Sequence, residues 1–264
     1  IRNNENIKYL SNVNKTLCND FGFILNGVTD NEIQIGKKIN NNLKKLNDIL
    51  FNQRGGMYQK LVGENGDTYV LGGKQINRYS MNPNKKGKLF INDLKDKKTN
   101  LKSNSILAQN IVAHIMNPEP HLQIISTIID VEDMPKTVIL DTINQLEVID
   151  TFSNKFILGI LNSKLISWYV YKFIFANAIR TMHFDSPVTS RIPIPQNPAP
   201  ETQKQIIKLV ETMLQLNKDL QTATLPEQKE QIQQRINYAD KKIDQLVYQL
   251  YDLSEEEIKV VEGE

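Results

Sequence analysis

Cysteine is nearly absent from this chain: 264 residues carry one, Cys18. A lone thiol excludes an internal disulfide framework and supports neither zinc spacing nor a redox pair. Histidine is also scarce. His114, His121 and His183 are scattered and suggest no metal site. The twelve glycines never fall into a dinucleotide fingerprint or a P-loop, and Gly72-Gly73 alone cradles no phosphate. No serine or cysteine sits in a nucleophile motif. Charge of one sign does not dominate either, since the formal net charge is only +2.

Long apolar runs are nearly missing too. The exception is Phe156–Phe175, "FILGILNSKLISWYVYKFIF". A spanning helix needs about 20 mostly apolar residues, yet Asn162, Ser163 and Lys164 interrupt this one near its middle. A central lysine costs roughly 2.5–3.5 kcal/mol on insertion scales, and no second span could shelter it. The run is therefore read as one soluble helix, about residues 154–177, with Trp168, Tyr169, Tyr171 and Phe173 in a core or interface.

What is present is a 40% hydrophobic content, enough for one large or two smaller cores. The chain opens on Ile1 with no charged-then-apolar signal, so a piece of a longer cytoplasmic protein is expected. Charge is unevenly placed. Lys37–Lys102 holds 15 Lys/Arg against five Asp/Glu, a balance of +10, whereas Glu201–Glu264 holds eight against 13, a balance of −5. One half is suited to face a polyanion while the other is a solvated support; a Lys- and Asn-rich composition gives the same count with no partner at all.

Residues 20–150 read as largely β, with turns at Gly55-Gly56 and Gly72-Gly73. "FGFILNGV" and "NEIQIG" suggest early strands, and "LKKLNDILF" a short strand or helix. "SILAQNIVAHI", "HLQIISTIID" and "KTVILDTINQLEVI" suggest successive later strands. Pro83–Lys102 reads as a basic loop around a short helix. "RIPIPQNPAP" is held extended by its prolines. Beyond Glu201, Ile206, Leu209, Met213, Leu216 and Leu220 form one helical seam. Ile232, Ile236, Ala239, Ile243, Leu246 and Leu250 form another. Thr224 with Glu227 forms an expected capping box, as does Ser254 with Glu257. Two seams joined by so short a turn fold back on each other. The fold class is thus α+β: a β-rich globule over 1–200, then an antiparallel helical hairpin over 201–264.

Neither an acidic-glycine motif for S-adenosylmethionine nor the Asn/Asp-Pro-Pro-aromatic motif of amino methyltransferases occurs; "MNPNKKG" and "IMNPEP" share only Asn-Pro. Asp130, Glu132 and Lys136 superficially match a nuclease's carboxylate–lysine set, a grouping common in surface turns. The chain is read as non-catalytic, with no catalytic, cofactor-binding or metal-ligating residue expected.

Several stretches together resemble a known ending. "ILGILNSKLISWYV", "RIPIP", "KQIIKLVETMLQLNK" and "IDQLVYQLYDLSEEEIKVVEGE", preceded by "LNDILFNQRGG" and "YVLGGKQINRY", are similar to the TaqI-like C-terminal specificity domain of adenine-N6 DNA methyltransferases. Fused restriction–modification enzymes (type IIG) share it, and specificity subunits of type I systems do so more weakly. The resemblance spans about residues 43–262. It implies a target-recognition globule docked on double-stranded DNA and a hairpin acting as spacer and partner surface, with possible self-association. S-adenosylmethionine, and magnesium if a nuclease is fused, are implied for an upstream methyltransferase domain or subunit, where the target adenine is flipped out.

Reading bases needs donors and acceptors at base edges, and positioning needs cations at phosphates. Arg54, Lys60, Lys74, Arg78 and Tyr79 lie in or beside glycine turns. Lys85, Lys86 and Lys88 share a basic loop, and Arg180, His183 and Arg191 follow the apolar run. These are the candidate DNA-facing residues. Each taken singly is equally suited to a solvated surface. Three other functions stay open: half of a type I specificity subunit, a coiled-coil module that binds protein rather than DNA, and an independent nuclease.

Overall fold

The computed structural model describes residue 13 and residues 15–41, 44–82, 86–94, 99–117, 120–129, 136–149, 151–178 and 182–264. Two helices come first, α1 (Lys15–Phe21) and α2 (Asp30–Asn40). The sequence suggested strands here. The alternation of Ile33 and Ile35 is misleading, because Thr29 and Glu32 form a capping box that starts α2.

The chain then runs through β1 (Lys44–Lys45), α3 (Leu46–Ile49), β2 (Leu50–Arg54), β3 (Thr68–Leu71), β4 (Ile76–Asn77), β5 (Ser80–Met81) and β6 (Lys88–Leu89). The later apolar runs give β7 (Ile106–Gln109), β8 (Ala113–Ile115), β9 (His121–Gln123), β10 (Ser126–Ile128), β11 (Thr137–Ile139) and β12 (Ile143–Val148). They are strands, as their β-branched composition indicates.

One antiparallel sheet has the order β10-β7-β12-β2, and a smaller one the order β11-β3-β6 with β11 and β3 parallel. Alternation assigns each face. Val70, Val138 and Leu140 pack in one small core with Leu89, whereas Leu71 and Ile139 turn the other way onto Leu107 and Ile143. Ile106, Ala108 and Leu146 face the main core instead.

The apolar run is not one helix. It forms α4 (Asn154–Leu161) and α5 (Lys164–Tyr169), followed by a π-helical turn over Val170–Ile174. The break falls on Asn162-Ser163. The Ser163 side chain accepts from Ile166 N and starts α5, as capping residues do. The buried Asn162 amide donates to Ser126 O and accepts from Ser126 N and Oγ. Trp168, Tyr169, Tyr171 and Phe173 are buried in the main core, as expected of the run.

A short helix α6 (Ser186–Thr189) and β13 (Pro193–Ile194) lead to α7 (Pro200–Thr222), α8 (Pro226–Leu250) and α9 (Glu255–Glu262). α7 and α8 pack as the expected hairpin. Its joint differs in detail. Leu225 is the N-cap of α8, with no side-chain cap bond, so the Thr224–Glu227 box does not form; Pro226 opens the helix. The Ser254–Glu257 box does form.

The hairpin shares the globule's main core. Ile206, Val210, Met213, Ile243 and Val247 belong to the cluster that contains Phe156 and Tyr169. Burial therefore spreads beyond one seam, and Val247 is deeper than the expected Leu246. Gly159 makes the approach possible: a Cβ there would lie 2.7 Å from Ile206 Cγ2 and 3.1 Å from Val210 Cγ2. Among the described residues no helix is long and apolar enough to cross a membrane.

Candidate nucleic-acid interface

The two sheets meet at the Asp141-Thr142 turn between β11 and β12. Two polar residues inside an otherwise apolar run break the strand there, and backbone bonds fix the turn from several sides. Asp141 N donates to Gly56 O, Asn110 N to Thr142 O, and Ile143 N to Leu140 O. Glycine is required on the approaching strand, because a Cβ on Gly55 would meet Leu140 O at 2.3 Å. The Arg54-Gly55-Gly56 segment thus lies flat against the turn.

Side chains with base-reading chemistry converge on the same turn. Arg54 donates from Nε to Asp141 O at 2.8 Å and from Nη2 to Asp141 Oδ2 at 3.4 Å. Gln59 Nε2 donates to the other carboxylate oxygen, Oδ1. Asn110 Nδ2 reaches Asp141 O at 3.1 Å and lies 2.9 Å from His183 Nδ1. Gly73 N donates to Thr142 Oγ1, which draws the Gly73–Gln75 turn alongside, and Gln109 Nε2 ties down Gly73 O and Ile76 O.

Of the residues expected to face DNA, Arg54 bonds to this turn and His183 to Asn110 beside it. Lys60 and Lys74 adjoin Gln59 and Gly73, which bond to it, and Lys86 lies against Gly72. Arg54, Lys60, Lys74 and Lys86 are exposed; His183 is half-buried. Lys88 lies on β6 with its Nζ 5.0 Å from the Tyr69 ring centroid. Arg191 is exposed, with its guanidinium 5.5 Å from the Phe23 ring centroid. Lys85 and Arg180 fall outside the described residues, as do Asp130 and Glu132. Gln59, Asn110, Asp141 and Thr142 escaped the sequence reading. Their only signal was the polar pair splitting "KTVIL" from "INQLEVI".

Arg78 and Tyr79 must be corrected: both turn inward. They form the two-residue turn of the β4–β5 hairpin, with Tyr79 in the left-handed region (φ 56°) and 1% exposed. Arg78 grips Asp240 of α8 with Nη1 at 2.9 Å and Nη2 at 2.7 Å, and Nη2 also donates to Asn162 O at 2.8 Å. A glycine-flanked turn suggested a groove-entering loop, but the acidic partner lies 162 residues away and sequence spacing gives no hint of it.

Burial opposes the charge on Arg78, yet the bonds and field of Asp240 outweigh it and hold its pKa above the ordinary value. Asp244 sits one turn further along α8 and accepts from Lys164 N, capping α5. Burial, with Asp240 adding to it, pushes the Asp244 carboxyl up to about 6. A cavity of about 440 Å³ lies beside this junction, lined by Arg78, His121, Lys164, Trp168, Lys172 and Glu262 among others. Its cations already have partners: Lys164 pairs with Glu262, and Lys172 with Glu32.

The turn and most of its surroundings fall within one family match. Residues 68–194 match the TaqI-like C-terminal specificity domain. The resemblance noted in the sequence therefore holds across β3 to β13, with Lys74, Asn110, Asp141 and His183 inside the matched residues and Arg54 and Gln59 just ahead of them. No curated protein matches the chain.

Two solved structures are similar. One comes from work on complex assembly and conformational transition of the type I R-M system; it is 10% identical with a TM-score of 0.43, over 84% of this chain and 52% of that one. The other, the HsdS subunit from Thermoanaerobacter tengcongensis, is 12% identical with a TM-score of 0.39, over 84% of this chain and 50% of that one. The chain thus spans about half the length of the solved structures it matches.

Proposed function

We propose that this protein is the DNA sequence-recognition part of a restriction–modification protein, setting a separate adenine-N6 methyltransferase on its target. The specificity-domain match over 68–194 carries the reading. Its chemistry supports it. Arginine, glutamine and histidine around Asp141-Thr142 supply donors and acceptors for base edges in the major groove, while Lys60, Lys74 and Lys86 supply charge for phosphates.

In this reading residues 1–200 hold the DNA and the hairpin from 201 onward serves as spacer and partner surface. S-adenosylmethionine belongs to the methyltransferase part, whether fused or separate. The flipped adenine is handled there, while this part reads its neighbours.

The test is duplex binding by fluorescence anisotropy across a salt series. Phosphate contacts release counterions, so changing Lys60, Lys74 and Lys86 together to Ala is expected to weaken random and selected duplexes alike and to flatten the salt dependence. Equal binding by the parent and the triple variant at every salt concentration refutes the assigned face.

A further inference from the structure

Arg54 and Gln59 approach one carboxylate from opposite sides. Asp141 Oδ2 receives the Arg54 guanidinium, and Asp141 Oδ1 receives the Gln59 amide. The Gly55-Gly56 step between them lies against the Leu140 backbone, so the two side chains start from fixed points on either side of the turn. We propose that Asp141 is a positioning residue for base selectivity: it holds Arg54 in one rotamer for guanine and sets Gln59 beside it. The inference rests on the DNA-recognition reading above and deepens it.

The geometry dictates which edge of Arg54 is offered. Asp141 binds the Nε–Nη2 side, through its backbone oxygen at 2.8 Å and its carboxylate at 3.4 Å. A guanidinium has five N–H donors in a rigid fork. With the Nε side held, the end formed by Nη1 and the second Nη2 hydrogen projects away from Asp141. Two parallel N–H groups at that end match guanine O6 and N7, the commonest specific contact in the major groove.

Gln59 spends one of its two amide hydrogens on Asp141. Its carbonyl oxygen is left as an acceptor, suited to an exocyclic amino group of cytosine or adenine in an adjoining pair.

Asp141 itself is well placed to hold rather than to read. Its side chain is 17% exposed against 39% for Arg54. Its backbone is pinned by Gly56 and Asn110, and Asn110 is fully buried, held in turn by Asn144. An acid facing the phosphates repels DNA unless it is consumed by a cation, so its position beside Arg54 is informative. Preorganisation of this kind lowers the ordering cost of a long side chain on binding.

The experiment selects bound duplexes from a randomised pool with the protein and with the Arg54→Ala, Asp141→Ala, Asp141→Asn and Arg54→Ala/Asp141→Ala variants. Sequencing then gives selectivity at each base pair, and melting curves monitor folding. Arg54→Ala is expected to lose about tenfold selectivity at one G·C pair. Asp141→Ala should lose most of it at that same pair, and the double variant no more than Arg54→Ala alone. Affinity for random duplex should not fall in Asp141→Ala, because a negative charge has been removed. The Asn variant, which keeps shape but not charge, should fall between parent and Ala.

An unchanged profile in Asp141→Ala overturns the inference while leaving DNA recognition intact, as do additive losses in the double variant. A loss spread over every position together with a lowered melting temperature assigns Asp141 to folding alone, and also overturns it. If the parent protein enriches no sequence from the pool, the DNA-recognition reading itself fails.

Discussion

Replacing Arg78 by Ala severs the junction between the β4–β5 turn and α8. The variant loses the two-nitrogen grip on Asp240 and the bond to Asn162 O. Exposed ion pairs contribute about 0–1 kcal/mol, whereas stripping one partner from a fully buried pair costs about 3–5 kcal/mol. Here the side chains are 21% and 25% exposed, so solvent screens part of the interaction. A loss of roughly 2–3 kcal/mol follows from interpolating between those limits.

Asp240 is then left one turn from Asp244, whose carboxyl is already pushed up by burial. For a chain of this size the loss corresponds to a melting temperature lower by about 5–10 °C. Circular dichroism melting reports it directly. Arg78→Met with Asp240→Leu should recover much of the deficit, since replacing both partners by apolar groups removes the stranded charge. The reasoning is refuted if Arg78→Ala melts like the parent yet loses selectivity at one base pair. Arg78 would then leave Asp240 to read DNA.

Gly159→Ala should destabilise by about 1–3 kcal/mol through overpacking against Ile206 and Val210, although alanine gains about 1 kcal/mol in helix propensity; a raised midpoint in urea unfolding contradicts the packing described. The Asp244 pKa is raised from 3.8 to about 6, so its stabilising contribution is complete below about 4 and is lost as pH rises through about 6. Asp244→Asn, whose amide oxygen still accepts from Lys164 N, should be more stable than the parent at pH 7, by up to about 3 kcal/mol. The two should converge toward pH 4. Parallel stability–pH curves count against the assigned burial. Glu32 and Glu257, whose carboxyls lie below their ordinary range with lysine partners, act in the opposite sense in both proteins and cancel in the comparison.

The hairpin was legible because its signal is periodic and local. Apolar residues at steps of three and four, Pro226 at a first turn and the Ser254–Glu257 box all act within a few residues of where they are read. The later strands were legible for the same reason. At α2 two local signals conflict: the isoleucine alternation reads as a strand, while Thr29 and Glu32 cap a helix, and the cap prevails.

The break at Asn162-Ser163 and the inward turn of Arg78 were not legible. Each depends on a partner brought in by the fold, Ser126 in one case and Asp240 in the other. The candidate interface was half legible. Its exposed cations announce themselves by charge, but Asp141 gathers Arg54 from 87 residues away and Gln59 from 82. A turn residue gives no sign in the sequence of what will bond to it.

α8 has 25 residues, about 37 Å of helix. Its foot is seated against α4 and α5, by Ile243 and Val247 in the core and by Asp240 and Asp244 at the junction, while Gln228–Arg235 at the far end lies largely in solvent. Such a rod behaves as a lever. A tilt of about 5° at the foot displaces the tip by about 3 Å over that length, comparable to a hydrogen bond. Side chains at the foot as small as the missing methyl of Gly159 therefore shift where the far end of α8 lies, against the restraint of Gln221 Nε2 on α7, which donates to Met81 O at 2.7 Å.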